Sequence, residues 1–437
     1  MVNNMQESAR AVALKVLQEI VENGAYSNIA LNKKLQASRL SDADKALVTE
    51  LVYGTVARKI TLEWYLAHEI KDRDQLDSWV YQLLMLSLYQ ILYLDKIPNH
   101  AVVNEAVNLA KRGRGADKFV NAVLRSFLNK PLPAISAIKR KNKRLSIQYS
   151  APVWLVTTLI EEYGHERAEA ILASLFIRNK ASVRVTDLSN MEEIAQALGA
   201  EKSPISSVGL VKSSGHFATS RAFKEGLITI QDETSQLVAP SLQLEGWEEV
   251  LDACAAPGGK TCHIASYLTT GQVTALDLYD HKLKLIEENA QRLGVNKQIK
   301  TQKLDARQVG EVFGENRFDK ILVDAPCSGI GLIRRKPDIK YNKETADFEQ
   351  LQKIQLSILD SVCQTLKKGG IITYSTCTIV RKENQEVIAK FLEAHPDFEQ
   401  VSLTHQCADI VQEGCIVITP EQYLTDGFFI SQVRRKS

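Results

Sequence analysis

Apolar side chains recur every three or four positions through the first ~130 residues, the spacing that gives a helix one buried face. Val12, Val16 and Ile20 follow this rule, with Leu17 and Val21 beside them. Ser41-Asp42-Ala43-Asp44 reads as a helix start. Ser41 can accept from a free backbone N–H there, and the acids suit the positive end of the helix. Leu47, Val48, Leu51 and Val52 then form an apolar stripe, and further helices are predicted over Trp79 to Tyr93 and Ala101 to Ala110. Few strand signals interrupt them, so an all-α domain is predicted over 1–138.

The pattern changes after the Pro131-Leu132-Pro133 break. Over 145–235, two helical stretches (Val153 to Tyr163 and Arg167 to Leu175) precede short strand candidates such as Ser182-Val183-Arg184-Val185. A small α+β linking domain is expected. Over 236–437 strand and helix alternate. Val250-Leu251 enters a Gly-rich turn, Val273 to Leu276 ends at Asp277, Lys320 to Val323 ends at Asp324, and Ile371 to Tyr374 leads to Cys377. Phe348, Leu351, Gln355, Ile358 and Val362 mark one face of a long helix before the last of these. Such alternation predicts a parallel, doubly wound, Rossmann-like α/β sheet.

Composition narrows the class. A chain of 437 residues, 45% hydrophobic and 24% charged, is a multidomain globular protein and not a disordered one. No stretch approaches the ~18 apolar residues of a membrane span. The start, Met1 to Arg10, is polar and lacks an apolar signal core, which predicts a cytoplasmic location. Seven cysteines, an odd number with none before Cys254, do not make a disulfide framework. No CxxC or zinc-spaced Cys/His cluster occurs, so no metal is expected and the thiols are expected to be reduced. Residues 1–144 hold 22 Lys+Arg against 14 Asp+Glu, a charge of +8, and the remainder carries −6. The basic half suits a polyanion, or is simply a solvated surface. The Lys139-Arg140-Lys141-Asn142-Lys143-Arg144 run reads equally as a solvated linker or as a hinge touching phosphates.

Ligands of open α/β sheets bind beyond the carboxyl ends of the strands, and the unusual residues here fall at those ends. The first turn, Asp252-Ala253-Cys254-Ala255-Ala256-Pro257-Gly258-Gly259-Lys260-Thr261, lets a ligand approach the backbone closely. It is neither a dinucleotide fingerprint nor a phosphate loop. Asp277 can accept from ribose hydroxyls, and Asp305 follows a third strand, so a nucleoside cofactor is expected. Asp324-Ala325-Pro326-Cys327-Ser328-Gly329 sets an acid beside a thiol, and Thr373-Tyr374-Ser375-Thr376-Cys377-Thr378 brings a second thiol to a second strand end. Paired thiols suggest covalent chemistry. Carbon 5 of cytosine is a poor nucleophile until a thiolate adds to carbon 6, which needs a cysteine, an acid near ring N3 and a route for thiol release. Lys260 is a candidate to favour the thiolate.

These three segments, in this order, resemble the RNA cytosine-5 methyltransferases. Gln231-Asp232-Glu233-Thr234-Ser235 resembles the family's lead into its catalytic domain, and Phe119-Val120-Asn121-Ala122-Val123-Leu124-Arg125 the end of a NusB-like helical RNA-binding domain. The resemblance implies S-adenosyl-L-methionine (AdoMet) as cofactor. It also implies Cys377 as nucleophile, Cys327 as the cysteine assisting release of the methylated base, and Asp324 as the acid on the cytosine ring. It assigns the cofactor to Cys254, Ala255, Ala256, Pro257, Gly258, Gly259, Lys260, Asp277, Asp305 and Asp324. The NusB-like region implies small-subunit (16S) rRNA, or an assembly intermediate containing it, as partner of a monomer. Two other readings are the same chemistry on tRNA or 23S rRNA, and a non-catalytic RNA-binding assembly factor.

Overall fold

The computed structural model describes residues 8–437. Of the polar opening Met1–Arg10, residues 1–7 lie outside the described residues. The chain divides into two compact units, one of 1–176 with 335–342 and one of 177–334 with 343–437.

The first unit is helical: α1 (Ala9–Asn23), α2 (Ser27–Ala37), α3 (Asp42–Ala57), α4 (Lys59–Leu66), α5 (Ser78–Tyr93), α6 (Asn99–Ala110), α7 (Ala116–Asn129), α8 (Lys141–Gln148) and α9 (Val153–Ser174). Ser41 caps α3 as its sequence predicts, accepting from the Asp44 N–H. Buried Val12, Val16, Val48, Leu51, Leu84, Leu88 and Leu124 belong to one core. Gly164 breaks the regular geometry of α9 with φ 76°, so the two predicted stretches form one element with a kink. The basic run is only half a linker: Lys141 to Arg144 form the first turn of α8, and Lys139, Arg140, Lys141 and Lys143 are exposed.

The segment 335–342 belongs to this same helical unit, although the chain reaches it from the other. Tyr341 packs against the helical core. Buried Asp338 accepts from Ser27 Oγ at 2.5 Å and from its backbone N–H at 3.4 Å.

The second unit opens with a four-stranded antiparallel sheet in the order β2-β3-β1-β4: β1 (Ala181–Val185), β2 (Glu201–Lys202), β3 (Gly209–Lys212) and β4 (Ile228–Ile230). A nine-stranded sheet follows, built from β5 (Glu249–Asp252), β6 (Gln272–Asp277), β7 (Ile299–Lys303), β8 (Phe318–Asp324), β9 (Leu366–Thr376), β10 (Phe398–Val401), β11 (Val411–Gln412), β12 (Cys415–Ile418) and β13 (Phe428–Arg435). Its order is β11-β12-β13-β9-β8-β5-β6-β7, with β10 on β13. The strands β5 to β9 are mutually parallel, as predicted, but β13 lies antiparallel on β9 and carries antiparallel β12 and β10, which makes the sheet mixed.

Alternation along the central strands buries both faces. Leu251, Ile321 and Val323 point to one core with Leu359, Val362 and Phe391, and Val250 and Leu322 to the other with Ile264 and Leu268. The long helix Thr345–Val362 is capped by a reciprocal Glu344–Asp347 pair and buries Phe348, Gln355, Ile358 and Val362. Among the described residues no helix is long and apolar enough to cross a membrane.

Candidate active site

Strand order reverses at β5, which has β6 on one side and β8 on the other. Loops leaving such a switch point diverge and open a crevice at the carboxyl ends. Register does the rest. Asp252 is the last residue of β5, and Asp324, the last of β8, pairs with Ser375 of β9. Cys327 lies three residues past Asp324, and Cys377 two past Ser375.

Gly258 makes the first turn possible. Its φ is 97°, and a Cβ there would sit 3.0 Å from the Ile286 Cα. The crevice beyond it is lined by Asp252, Cys254, Ala255, Ala256, Pro257, Gly259, Lys260 and Asp324. Gln231, Asp232 and Ser235 line it as well. Those three were not among the candidate residues, although their segment had been singled out as a lead-in.

Asp252 is buried and accepts from Thr261 Oγ1 at 2.7 Å. Burial pushes its carboxyl up to about 7. Lys260 Nζ lies 2.7 Å from Asp324 Oδ2, with only 15% and 27% of the two side chains exposed. Burial alone draws the Lys260 ammonium down, but the charge and hydrogen bond of Asp324 outweigh it, helped by Cys377, and the net shift is upward. The second Asp324 oxygen accepts from Ser375 Oγ at 2.7 Å.

Asp277 and Asp305 stand at the next two strand ends. Asp277 accepts the Tyr279 N–H at 3.1 Å and lies 3.8 Å from Lys282 Nζ. Asp305 is engaged by Arg307, whose Nη2 is 2.6 Å from Oδ2, and these hydrogen bonds hold its carboxyl below the usual range. Both acids still act on the crevice. Burial pushes the Cys254 thiol up, and the charges of Asp252, Asp324, Asp277 and Asp305 push it further. Three of these four acids stand beside the cations Lys260, Lys282 and Arg307.

The two other thiols meet, with Cys327 Sγ 3.3 Å from Cys377 Sγ. The hydrogen bond with Cys377 is the largest influence on Cys327. With burial and the charges of Cys377 and Glu383 it raises that thiol well above its usual range. Cys327 is therefore held toward its protonated form, within hydrogen-bonding distance of Cys377. Backbone bonds fix the second loop in place: the Gly331 N–H donates to the Cys377 carbonyl at 3.0 Å, and the Gly331 carbonyl accepts from the Gly427 N–H at 2.9 Å. Among the described residues no group of three or more His, Cys, Asp or Glu is arranged to hold a metal ion.

Similarity to known proteins agrees with this geometry. The family model for "16S rRNA methyltransferase RsmB/F" matches residues 239–434, and the NusB family matches 7–129. A Bacillus subtilis (strain 168) protein named probable ribosomal RNA small subunit methyltransferase B is 44% identical over 98% of this chain and 99% of its own. The ribosomal RNA small subunit methyltransferase B of Proteus mirabilis (strain HI4320) is 33% identical over 98% of both chains. The solved structure titled PH0851 superposes with a TM-score of 0.82 at 25% identity, covering 98% of this chain and 99% of that one. A methyltransferase homolog from Pyrococcus horikoshii gives 0.59 at 25% identity, over 68% and 100%. A NusB-type helical domain ahead of a methyltransferase sheet, full-length identity of 44% and the thiol-bearing crevice lead to one conclusion: this chain is a methyltransferase and belongs to the ribosomal RNA small subunit methyltransferase B family.

Proposed function

We propose that this enzyme methylates carbon 5 of one cytosine in 16S rRNA, with AdoMet as methyl donor and Cys377 as covalent nucleophile, in the cytoplasm. The observation that carries the chemistry is the pair of thiols 3.3 Å apart, beside a Lys260–Asp324 ion pair of 2.7 Å. The turn from Cys254 through Pro257, Gly258 and Gly259 to Lys260 would hold AdoMet, and Asp277 would accept from its ribose hydroxyls. When bound it supplies an electrophilic methyl group.

The protein's own residues then account for each step. Lys260 stabilises negative charge on Cys377. The Cys377 thiolate gives an electron pair to carbon 6 of a cytosine turned out of its stack. Asp324 holds the edge of the ring beside N3 by accepting from the exocyclic amine, and Lys260, 2.7 Å from Asp324, offsets the charge displaced toward N3. Carbon 5, now enamine-like, would take the methyl group as the bond between that group and the donor sulfur breaks, leaving a neutral thioether. Loss of the carbon 5 proton to solvent restores the double bond, the C6–S bond breaks and its pair returns to Cys377. The Cys327 S–H, 3.3 Å from that sulfur, then donates to the departing thiolate and stabilises it. The exposed cations at Lys139, Arg140, Lys141 and Lys143 suit RNA phosphates.

Bisulfite sequencing of RNA from cells with and without the gene tests the reading. Loss of one protected cytosine in 16S rRNA supports it. Loss in tRNA or 23S rRNA keeps the chemistry and overturns the substrate. No loss in cells that express the protein overturns both.

A further inference from the structure

Glu383 and Asn384 follow the second cysteine by six and seven residues, and neither belongs to any motif singled out above. Both are buried, Glu383 to 0% and Asn384 to 1% exposure. Burying a carboxylate so completely is costly unless its lone pairs are used. Here they are used on the loop of Cys327. The Ser328 N–H donates to Glu383 Oε2 at 2.8 Å, and the Ser328 hydroxyl donates to Oε1. Gln355 Nε2 donates both to Glu383 Oε2 (3.1 Å) and to the Pro326 carbonyl (2.9 Å). Both chain neighbours of Cys327 are thus tied to one buried anionic centre.

Asn384 does the same for the other thiol. Thr376 Oγ1 donates to Asn384 Oδ1 at 2.5 Å, and Asn384 Nδ2 donates to the Thr378 carbonyl at 3.0 Å. Thr376 and Thr378 flank Cys377. A last contact, Ser328 Oγ to Thr378 Oγ1 at 2.9 Å, joins the two arms. Tyr374 closes the back of the clamp by donating to the Glu383 carbonyl at 2.7 Å.

We propose that Glu383 and Asn384 are positioning residues that set the two thiols in register, Glu383 through the Cys327 loop and Asn384 through the Cys377 loop. Ser328 and Thr378 link the arms, but Glu383 holds chiefly the Cys327 side and Asn384 the Cys377 side, so the two weigh on different steps. Asn384 holds the sulfur that attacks, so its loss slows formation of the adduct. Glu383 holds the loop of the thiol that assists release, and its charge also helps to keep Cys327 protonated. Its loss slows release. The inference rests on the covalent reading of Cys377.

Two variants separate these steps. Glu383→Gln replaces one accepting oxygen with an amide that must face the Ser328 donors, and Asn384→Ala removes both contacts around Cys377. Each full-length variant is assayed in single turnover with AdoMet and a cytosine-containing 16S rRNA fragment. A fragment carrying 5-fluorocytosine is run beside it, since fluorine on carbon 5 blocks release and traps the adduct. Misplacement by about 1 Å costs roughly a hundred-fold in a positioned reaction. Asn384→Ala should therefore trap adduct on the fluorinated RNA about a hundred-fold more slowly. Glu383→Gln should trap it at near the parent rate yet accumulate a denaturant-resistant adduct on ordinary RNA. AdoMet affinity, by calorimetry, should stay within about two-fold in both, consistent with a contact set that avoids the cofactor turn.

If both variants slow the same step, or neither changes either step while AdoMet binding holds, the proposal is overturned. Should Glu383→Gln fail to fold, Ser328→Ala removes the hydroxyl arm alone and must show the same accumulation. The underlying reading has its own control. A parent enzyme that traps fluorinated RNA, with Cys377→Ala unable to do so, leaves the clamp as the only matter under test. A parent that forms no adduct overturns the covalent reading instead.

Discussion

Lys340 offers a test of the helical unit in which the sign runs against intuition. Its side chain is 1% exposed, in the 335–342 segment, and no carboxylate among the described residues pairs with it. Its ammonium donates to the Ala57 carbonyl at 2.9 Å and lies 5.6 Å and 5.1 Å from the ring centres of Phe176 and Tyr341. Burial, and then the neighbouring charge of Arg58, lower its pKa from 10.5 to about 7. At 1.36 kcal/mol per unit, that drop corresponds to about 5 kcal/mol of disfavour for the charged form. The two rings return roughly 1 kcal/mol each. The hydrogen bond is worth about 1 kcal/mol. After its loss the Ala57 carbonyl keeps the Tyr341 OH at 3.3 Å, a proton shared with the Ser150 carbonyl at 3.1 Å. Lys340→Met is therefore expected to stabilise the helical unit by about 2 kcal/mol at pH 6, where the native ammonium is charged.

The pH dependence follows from proton counting. Between pH 7 and about 10 the unfolded chain keeps the Lys340 proton and the folded chain has lost it, so the parent gains stability as pH rises. The parent gains about 1.4 kcal/mol per pH unit over that window, so the advantage of the methionine variant should be gone near about pH 8.5 and reverse above it. Urea unfolding followed by far-ultraviolet circular dichroism, at pH 6 and pH 9.5, measures both quantities. A variant less stable than the parent at pH 6, or a gain equal at both pH values, would refute the reasoning.

Three further outcomes are expected. Cys377→Ala should abolish methyl transfer to RNA while calorimetry still detects AdoMet binding, and retained turnover would remove Cys377 from the chemistry. Cys327→Ala should accumulate an RNA–protein adduct visible as a denaturant-resistant band, and its absence would remove the release role. Gly331→Ala would place a Cβ 2.1 Å from the Gly427 carbonyl oxygen and 2.8 Å from that of Cys377. Overpacking and the loss of two backbone hydrogen bonds should cost about 3 kcal/mol and most of the activity, whereas a melting temperature and activity like the parent's would show that the loop yields.

Much of the catalytic layout was legible because chemistry and periodicity coincide there. Strands β5, β6, β8 and β9 are short apolar runs that end in Asp252, Asp277, Asp324 and Thr376, so the end of each hydrophobic pattern marks a ligand-facing position. Ser41 was legible for a local reason, a side-chain cap, and the gap between the stretches ending at Tyr163 and starting at Arg167 holds the kink at Gly164. What escaped depends on long-range pairing. The antiparallel β13 has no crossover helix to announce it, and its place beside β9 is fixed only by register. Glu383 reads as one acid in a charged stretch, Arg381-Lys382-Glu383, and its burial depends on Ser328, 55 residues earlier. The 335–342 segment, with Arg335, Lys336, Asp338 and Lys340, has the composition of a solvated loop. Asp338 and Lys340 are nevertheless buried, because Ser27 and the Ala57 carbonyl receive them, more than 280 residues away.

That segment has a consequence for how the protein is made. The helical unit is translated first, yet residues 335–342 reach the ribosome exit well after residue 176. At roughly 5–20 residues per second the nascent helical bundle waits about 8–30 seconds for its last piece. Until then Ser27 lacks Asp338 as acceptor and the helical core lacks Tyr341. The unit said to be N-terminal is thus completed only after more than three-quarters of the chain has been synthesised, and no single cut in the chain can release it whole.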